Sequence, residues 1–131
     1  MPVELSYLVA FTGVAILTIV VQEVIAAFSH KPSELVGPRD DFEPTNVYLL
    51  RARRAMQNTI EAMVMFAPLV LVAHAADRFN ATTELAAAVF FWARALYLPA
   101  YVLAIPLLRS TVWGVGFVAT LVFFVQILPF S

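Results

Sequence analysis

Residues 51–76 read RARRAMQNTIEAMVMFAPLVLVAHAA, and this stretch decides the fold because its character changes half-way along. The first part, 51–61, carries three arginines, a glutamine, an asparagine and a glutamate, whereas 62–76 holds no Asp, Glu, Lys or Arg. Asn46 is a plausible N-cap, and Pro68 predicts a kink. The pattern predicts a helix of about 30 residues that begins outside a membrane and finishes inside it.

Three further apolar stretches lie on either side of this helix. Leu5–Val21 contains no charged residue, and with the residues that follow it reaches the roughly 20 residues that cross a hydrocarbon core. Asn80 and Pro99 predict the start and an interruption of the third span. We therefore expect an all-α, integral membrane four-helix bundle that forms a single transmembrane domain over residues 1–131. The predicted spans are approximately residues 5–28, 46–76, 81–105 and 110–128.

The composition excludes several classes of protein. The chain is 62% hydrophobic and only 13% charged, against about 25% charge in an ordinary soluble domain. A net charge of −1 offers no electrostatic basis for binding nucleic acid, and the absence of cysteine excludes disulfides and thiolate metal sites. His30 and His74 lie far apart in the sequence, so we expect no metal site. Glu4 replaces the basic start of a signal peptide, which favours a retained first span.

The basic residues predict the orientation. Four spans place the first and third connections on one side of the membrane, and that side collects six of the eight lysines and arginines. The positive-inside rule then puts the 29–46 loop in the cytoplasm and both termini on the other side. If the source is a prokaryote, the membrane is the inner or plasma membrane. The six residues are Lys31, Arg39, Arg51, Arg53, Arg54 and Arg109.

Polar residues inside the second helix require an explanation, because a charge at the centre of a membrane costs at least about 2.5–3.5 kcal/mol. Arg51 and Arg53 are close enough to the loop either to extend towards head groups or to belong to a functional site. Arg54, Asn58 and Glu61 fall within about 60° of one another on the helix. They predict either a ligand site, an Arg54–Glu61 pair bridged by Asn58, or a polar clasp between helices.

The third helix repeats this arrangement with Arg94, Tyr97 and Tyr101. Tyrosines near a helix end are also typical interfacial anchors, but Arg94 lies mid-helix and is expected to need a carboxylate partner, Glu61 or Glu23. Arg109 and Ser110 stand at the predicted start of the fourth helix. These side chains suit a small, charged, peptide-like ligand with carboxylates, and the apolar halves of the helices suit a lipophilic small molecule.

These motifs, in this order, resemble the MAPEG family of membrane-associated proteins in eicosanoid and glutathione metabolism. Residues 51–61 are similar to the family's second-helix signature, Arg-x-x-x-Asn-x-x-Glu. Residues 94–101, RALYLPAY, and the pair Arg109-Ser110 resemble its third helix and the entry to its fourth. Gln57, Ala62 and Trp113 depart from the family's pattern, with Trp113 standing where one prostaglandin-synthase-like branch has a tyrosine.

The resemblance implies a homotrimer that binds glutathione between neighbouring subunits, with Arg109 beside the sulfur and Ser110 as an additional or alternative donor. It implies a membrane-bound transferase or peroxidase that activates the glutathione thiol towards lipophilic electrophiles, and Arg109 favours this interpretation. A non-catalytic lipid- or glutathione-binding member, or a structural membrane subunit, remains the alternative. The residues expected to hold glutathione are Arg54, Asn58, Glu61, Arg94, Tyr97 and Tyr101.

Overall fold

The computed structural model describes residues 1–29 and 46–128, and its regular structure there is entirely helical. Each of the four helices in this part of the chain is long and apolar enough to cross a membrane, so the predicted all-α membrane bundle is confirmed. Most of the predicted 29–46 loop lies outside the described residues. The helices are α1 (Val3–Ser29), α2 (Val47–Ala75), α3 (Ala81–Val102) and α4 (Pro106–Gln126).

An interlocked set of phenylalanines forms the core at one end of the bundle. The Phe66 ring of α2 stacks on Phe90 of α3, with centroids 3.8 Å apart and planes 13° apart. Phe11 of α1 meets Phe90 edge-on at 4.9 Å, and Phe123 of α4 meets Phe66 at 5.6 Å. All four helices therefore contribute a ring to one cluster. Ring packing of this kind holds helices together in lipid, where apolar burial adds little.

Asparagine caps begin α2 and α3, as the sequence predicts. Asn46 Oδ1 accepts hydrogen bonds from the backbone N–H groups of Tyr48 and Leu49, at 2.8 and 3.4 Å. Asn80 and Thr83 form a reciprocal capping box, in which each side chain accepts from the other's backbone N–H. These caps satisfy N–H groups that the first turn of a helix leaves without partners.

The turn between α3 and α4 differs from the prediction. α3 ends at Val102 rather than near 105, and α4 begins at Pro106 rather than near Ser110. Ala104 adopts a left-handed conformation with φ of 56°, and its N–H and that of Ile105 donate to the carbonyls of Tyr101 and Ala100. This Schellman motif usually carries glycine at the left-handed position, so an alanine there does not predict it. The site residues Arg109 and Ser110 therefore lie inside α4.

The predicted interruption of the third helix at Pro99 is wrong. α3 continues through Pro99 to Val102, and the Pro99 carbonyl accepts the backbone N–H of Leu103 at 3.0 Å. Pro68 likewise lies inside α2, which continues for seven residues to Ala75. Membrane helices tolerate proline because neighbouring helices and local adjustments compensate for the missing hydrogen bond.

Polar contacts reinforce the same end of the bundle as the phenylalanine cluster, the end at which α1 and α3 begin. The buried Glu4 carboxylate accepts a 2.8 Å hydrogen bond from Thr83 Oγ1, linking α1 to the start of α3. Asn80 Nδ2 donates to Gln126 Oε1 at 3.1 Å, linking α3 to the end of α4. This end is held by helix-terminus contacts, and the mid-helix polar residues lie towards the other end.

Candidate functional site

Arg94 is a buried cation held by neutral partners. Its side chain is 3% exposed, Nη1 donates to Asn58 Oδ1 at 2.8 Å, and Nη2 donates to Thr59 Oγ1 at 3.3 Å. The guanidinium carbon lies 4.2 Å from the centroid of the Tyr97 ring. Nε is buried without a partner among the described residues. Of the alternatives for Asn58, the structure therefore shows the polar clasp between helices.

The expectation that Arg94 needs a carboxylate partner is wrong for the described residues, which form no ion pair with it. Glu61 acts on Arg94 only through its longer-range charge, since its Oε1 accepts instead from Gln57 Nε2 at 3.3 Å on the outer face of α2. Glu23 is exposed on α1. An amide, a hydroxyl and an aromatic face together satisfy much of what a carboxylate would have supplied.

Small residues let α2 approach α3 closely enough for this clasp. Ala52, Ala55 and Ala62 on α2 are buried, and Thr59 Oγ1 donates to the Ala55 carbonyl at 2.8 Å, which leaves its lone pairs to accept from Arg94. Small residues at interfaces are typical of membrane helices, where close backbone approach provides the contact. The sequence interpretation missed Thr59, because a threonine in a membrane helix is commonplace.

The Arg109 groove is a cavity of about 450 Å³ between α3 and α4, within the range of small-molecule sites. The Arg109 guanidinium lies 5.1 Å from the centroid of the Tyr101 ring, and the Tyr97 and Tyr101 rings are 5.6 Å apart. The structure thus brings together a cation, hydroxyl groups and aromatic rings, a set able to bind and stabilise an anion. The groove is lined by Tyr97, Arg109, Ser110, Trp113 and Gly114.

Arg54 lies in a different cavity, which we call the Arg54 groove. It has a volume of about 570 Å³, and α1 and α2 line it. Arg54 and Glu61 are both exposed on the surface of the bundle. The two grooves share no lining residue, so the described structure does not bring Arg54 and Arg109 into one cavity. The lining residues are Ile19, Gln22, Leu50, Arg53, Arg54, Met56, Gln57 and Ile60.

A third cavity, the aliphatic groove, continues from the Arg109 groove along α3 and α4. Its volume is about 510 Å³, and it shares Ser110 and Gly114 with the Arg109 groove. Apart from its two chain neighbours, no side chain approaches Gly114, since a Cβ added there would meet no other side-chain atom within 4 Å. Aliphatic side chains supply most of the remaining lining: Leu85, Val89, Val115, Val118, Ala119 and Val122.

Arg51 has a structural role that the sequence left undecided. Its Nη1 donates a 3.2 Å hydrogen bond to the backbone carbonyl of Val102, the last residue of α3, and its guanidinium lies 5.6 Å from the Tyr48 ring. A cation at the carboxyl end of a helix satisfies a free carbonyl and interacts favourably with the helix dipole. Arg51 therefore supports the helix end from which the chain turns towards Arg109.

Comparison with known proteins gives one match. No curated protein and no solved structure matches the chain. The model of the MAPEG family matches residues 5–129, nearly the whole sequence, and this agrees with the four apolar helices. The chain therefore belongs to the MAPEG family.

Proposed function

We propose that this multi-pass membrane protein is a glutathione-dependent transferase or peroxidase that acts on lipophilic electrophiles. The observation that carries the proposal is the Arg109 groove, in which a guanidinium and the Ser110 hydroxyl share one cavity with aromatic side chains. Its continuation into the aliphatic groove supplies an apolar surface next to these groups. Membership of the MAPEG family supports glutathione as the thiol.

The chemistry needed is activation of a thiol that the co-substrate itself carries. A free thiol has a pKa near 8.5, so only a few per cent is thiolate at neutral pH. Lowering that pKa by about two units requires roughly 2.7 kcal/mol of preferential thiolate stabilisation. Arg109 supplies a positive charge and Ser110 a hydrogen-bond donor beside the sulfur, and partial exclusion of water strengthens both interactions. The proton leaves to solvent, and the thiolate attacks the electrophile.

Glutathione binding completes the proposal, and it requires a second subunit. Arg54 and Glu61 carry opposite charges suited to the carboxylates and amine of the tripeptide, but they lie on the α1–α2 side, away from the Arg109 groove. In a homotrimer, the α1–α2 face of one subunit would cover the α3–α4 face of the next. Such an arrangement also removes Arg54 and Glu61 from lipid, where each charge is costly. Cross-linking that yields only monomer would contradict it.

Titration of the full-length protein in detergent with glutathione tests whether the protein binds glutathione and whether Arg54 contributes to the affinity. We expect calorimetry to show binding by the parent protein and a rise of about 10-fold or more in the dissociation constant for Arg54→Ala, since a hydrogen bond to a charged group contributes about 1.5–3 kcal/mol. Arg78→Ala, at the opposite end of the bundle, is the matched control and should leave affinity unchanged. Equal affinities for the parent protein and Arg54→Ala would exclude Arg54 from the site.

Orientation is the remaining part of the proposal: the loop at 29–46 is cytoplasmic and both termini face the other side. The chain has no cysteine, so a single cysteine introduced at Pro38 or at Ser131 reports one position without background. An impermeant thiol reagent applied to intact cells should label the Ser131 variant and spare the Pro38 variant until the membrane is opened. Labelling of both positions in intact cells would overturn the proposed topology.

The alternative is a non-catalytic lipid-binding member of the family, and the aliphatic groove is the observation that favours it. A groove lined by valines and leucine accommodates an acyl chain without any chemistry. The two functions differ in one measurement, because a binding protein needs no activated thiol. If the parent protein shows neither a thiolate signal with glutathione nor conjugation with any electrophile, lipid binding replaces catalysis.

A further inference from the structure

We propose that Trp113 selects the electrophile by stacking on planar, electron-poor aromatic rings in the Arg109 groove. This inference rests on the proposed glutathione conjugation. Trp113 lines that groove next to Arg109 and Ser110, and 45% of its surface is exposed. An indole is the most electron-rich aromatic side chain and attracts electron-poor partners to its face. The groove therefore discriminates by the shape and electronics of the electrophile as well as by its apolarity.

The indole is held in a fixed plane by the residue one turn further along α4. The rings of Trp113 and Phe117 are parallel to within 6°, with centroids 5.3 Å apart. Phe117 thus supports one face of the indole, and a ring in the groove can stack only on the opposite face. A platform whose orientation is already set costs less entropy when a ligand stacks on it.

Gly114 gives a flat ring room to approach this platform. It lines the groove beside Trp113, and a Cβ at this position would meet no side-chain atom within 4 Å other than those of its two chain neighbours. The helix surface next to the indole is therefore bare backbone. A flat ring can lie against it edge-on, whereas any side chain at position 114 would project into the same space.

Arg109 lies close to the place that a ring stacked on Trp113 would occupy. When a glutathione thiolate attacks an activated aryl chloride, the C–S bond forms at the carbon that carries chlorine. The electron pair moves into the ring and its nitro groups, and it returns as the C–Cl bond breaks and chloride leaves. The thiol proton has already passed to solvent. Arg109 lies one helical turn before Trp113, so its charge is close to the negative charge that develops on the stacked ring.

A flexible alkyl electrophile does not gain from this arrangement. An alkyl chain offers no π-face to the indole, and the neighbouring aliphatic groove gives it a separate apolar surface that does not include Trp113. Loss of the indole should therefore lower activity towards planar aromatic electrophiles selectively. A general effect on folding or on thiol activation would lower activity towards both kinds of electrophile together.

Conjugation of glutathione by the full-length protein in nanodiscs tests this selectivity. The two electrophiles are chlorodinitrobenzene and the enal 2-nonenal, which takes the thiolate at its conjugated double bond and carries an alkyl chain but no aromatic ring. Trp113→Leu should lower kcat/KM for chlorodinitrobenzene about 3–10-fold, the size expected for one aromatic pair, while kcat/KM for nonenal is retained. Trp113→Phe should restore most of the loss. Gly114→Leu should also lower the chlorodinitrobenzene rate. Trp92 is an exposed tryptophan of α3 that lines none of the three grooves, so the control variant Trp92→Leu should change neither rate.

Fluorescence supplies a readout that does not depend on turnover. The chain has two tryptophans, so Trp113 is the sole emitter in a Trp92→Phe variant. Dinitrophenyl-glutathione, the conjugation product, should quench this emission with saturation, because the nitroaromatic ring stacks on the indole. In the reciprocal Trp113→Phe variant, the emission of Trp92 should be unaffected.

The possible results separate this inference from the proposed function. If the parent protein conjugates nonenal but not chlorodinitrobenzene, the proposed function stands and the inference about Trp113 is overturned. Equal losses for both electrophiles in Trp113→Leu, or no saturable quenching, also overturn it, since Trp113 then only shapes the groove. Failure of the parent protein with both electrophiles removes the proposed function and the inference with it.

Discussion

The two ends of this bundle are built from different interactions. At one end, Phe11, Phe66, Phe90 and Phe123 pack ring against ring and are no more than 1% exposed. At the other, a buried arginine is shared among an amide, a hydroxyl and an aromatic ring, with one nitrogen left without a partner in the described structure. The first arrangement leaves no polar group to satisfy, whereas the second leaves Arg94 Nε without a hydrogen bond among the described residues.

This difference indicates where function resides. Apolar rings are the inexpensive way to join helices in a membrane, since they carry no insertion cost. A buried Arg94, together with arginines in the Arg54 and Arg109 grooves, carries an insertion cost that packing alone would not require. We therefore expect the aromatic end to determine stability and the polar end to determine activity.

Phe66→Ala should give the largest loss of stability. Phe66 is 0% exposed and contacts Phe90 and Phe123, so its removal leaves a cavity that the other rings cannot fill. We expect destabilisation of about 2–4 kcal/mol, mainly from lost contacts, because lipid also solvates an exposed ring. Thermal unfolding in detergent measures it, and the protein that remains folded should keep its turnover number.

Phe28→Ala is the matched control, since Phe28 is 89% exposed at the end of α1. It should change stability by no more than about 0.5 kcal/mol. If both variants unfold at the same temperature as the parent protein, the phenylalanine cluster does not hold the helices together. The aromatic end would then not determine the stability of the bundle.

Arg109→Ala should separate chemistry from binding at the polar end. Loss of one group that stabilises charge should lower the turnover number about 10–100-fold, equivalent to about 1.4–2.7 kcal/mol. Glutathione affinity should change much less, because the partner of Arg109 is the charge on the sulfur. Steady-state kinetics with varied glutathione measures both quantities. A variant that loses affinity but keeps its turnover number would show that Arg109 binds the tripeptide instead.

The turn between α3 and α4 should yield the smallest effect, with the opposite sign. Ala104 has φ of 56°, where a side chain is strained, so Ala104→Gly should raise stability by about 0.5–1 kcal/mol. Ala88→Gly, in the interior of α3, should lower stability by a similar amount. Thermal unfolding of the pair tests this, and destabilisation by both substitutions would show that the left-handed turn carries no strain.

Much of the fold was predictable because hydropathy and helix caps are local signals. The uncharged run in α1 and the asparagines at 46 and 80 correctly predicted helices and helix starts. The turn at Ala104 was not predictable, since its left-handed residue is not glycine and only the hydrogen bonds to Ala100 and Tyr101 reveal it. The predicted interruption at Pro99 was wrong because a membrane helix can continue through proline.

The candidate site was predictable in its residue types but not in its partners. Helical spacing placed Arg94 and Tyr97 on one face, and the structure indeed stacks them. Spacing along one helix cannot indicate which neighbouring helix supplies a partner, so Asn58 and Thr59 replaced the expected carboxylate. The structure separates Arg54 from Arg109, and sequence alone contains no signal for that separation.

The central claim is that the polar end activates a thiol. Ultraviolet difference spectroscopy tests it most directly, with the full-length protein saturated with glutathione at neutral pH. We expect a thiolate absorbance in the parent protein, a clear decrease in Arg109→Ala, and an unchanged signal in Phe28→Ala. Ser110→Ala measures the share contributed by the hydroxyl. An undiminished thiolate signal in Arg109→Ala, together with full turnover, would contradict the role assigned to Arg109. Absence of a signal from the parent protein would contradict thiol activation altogether.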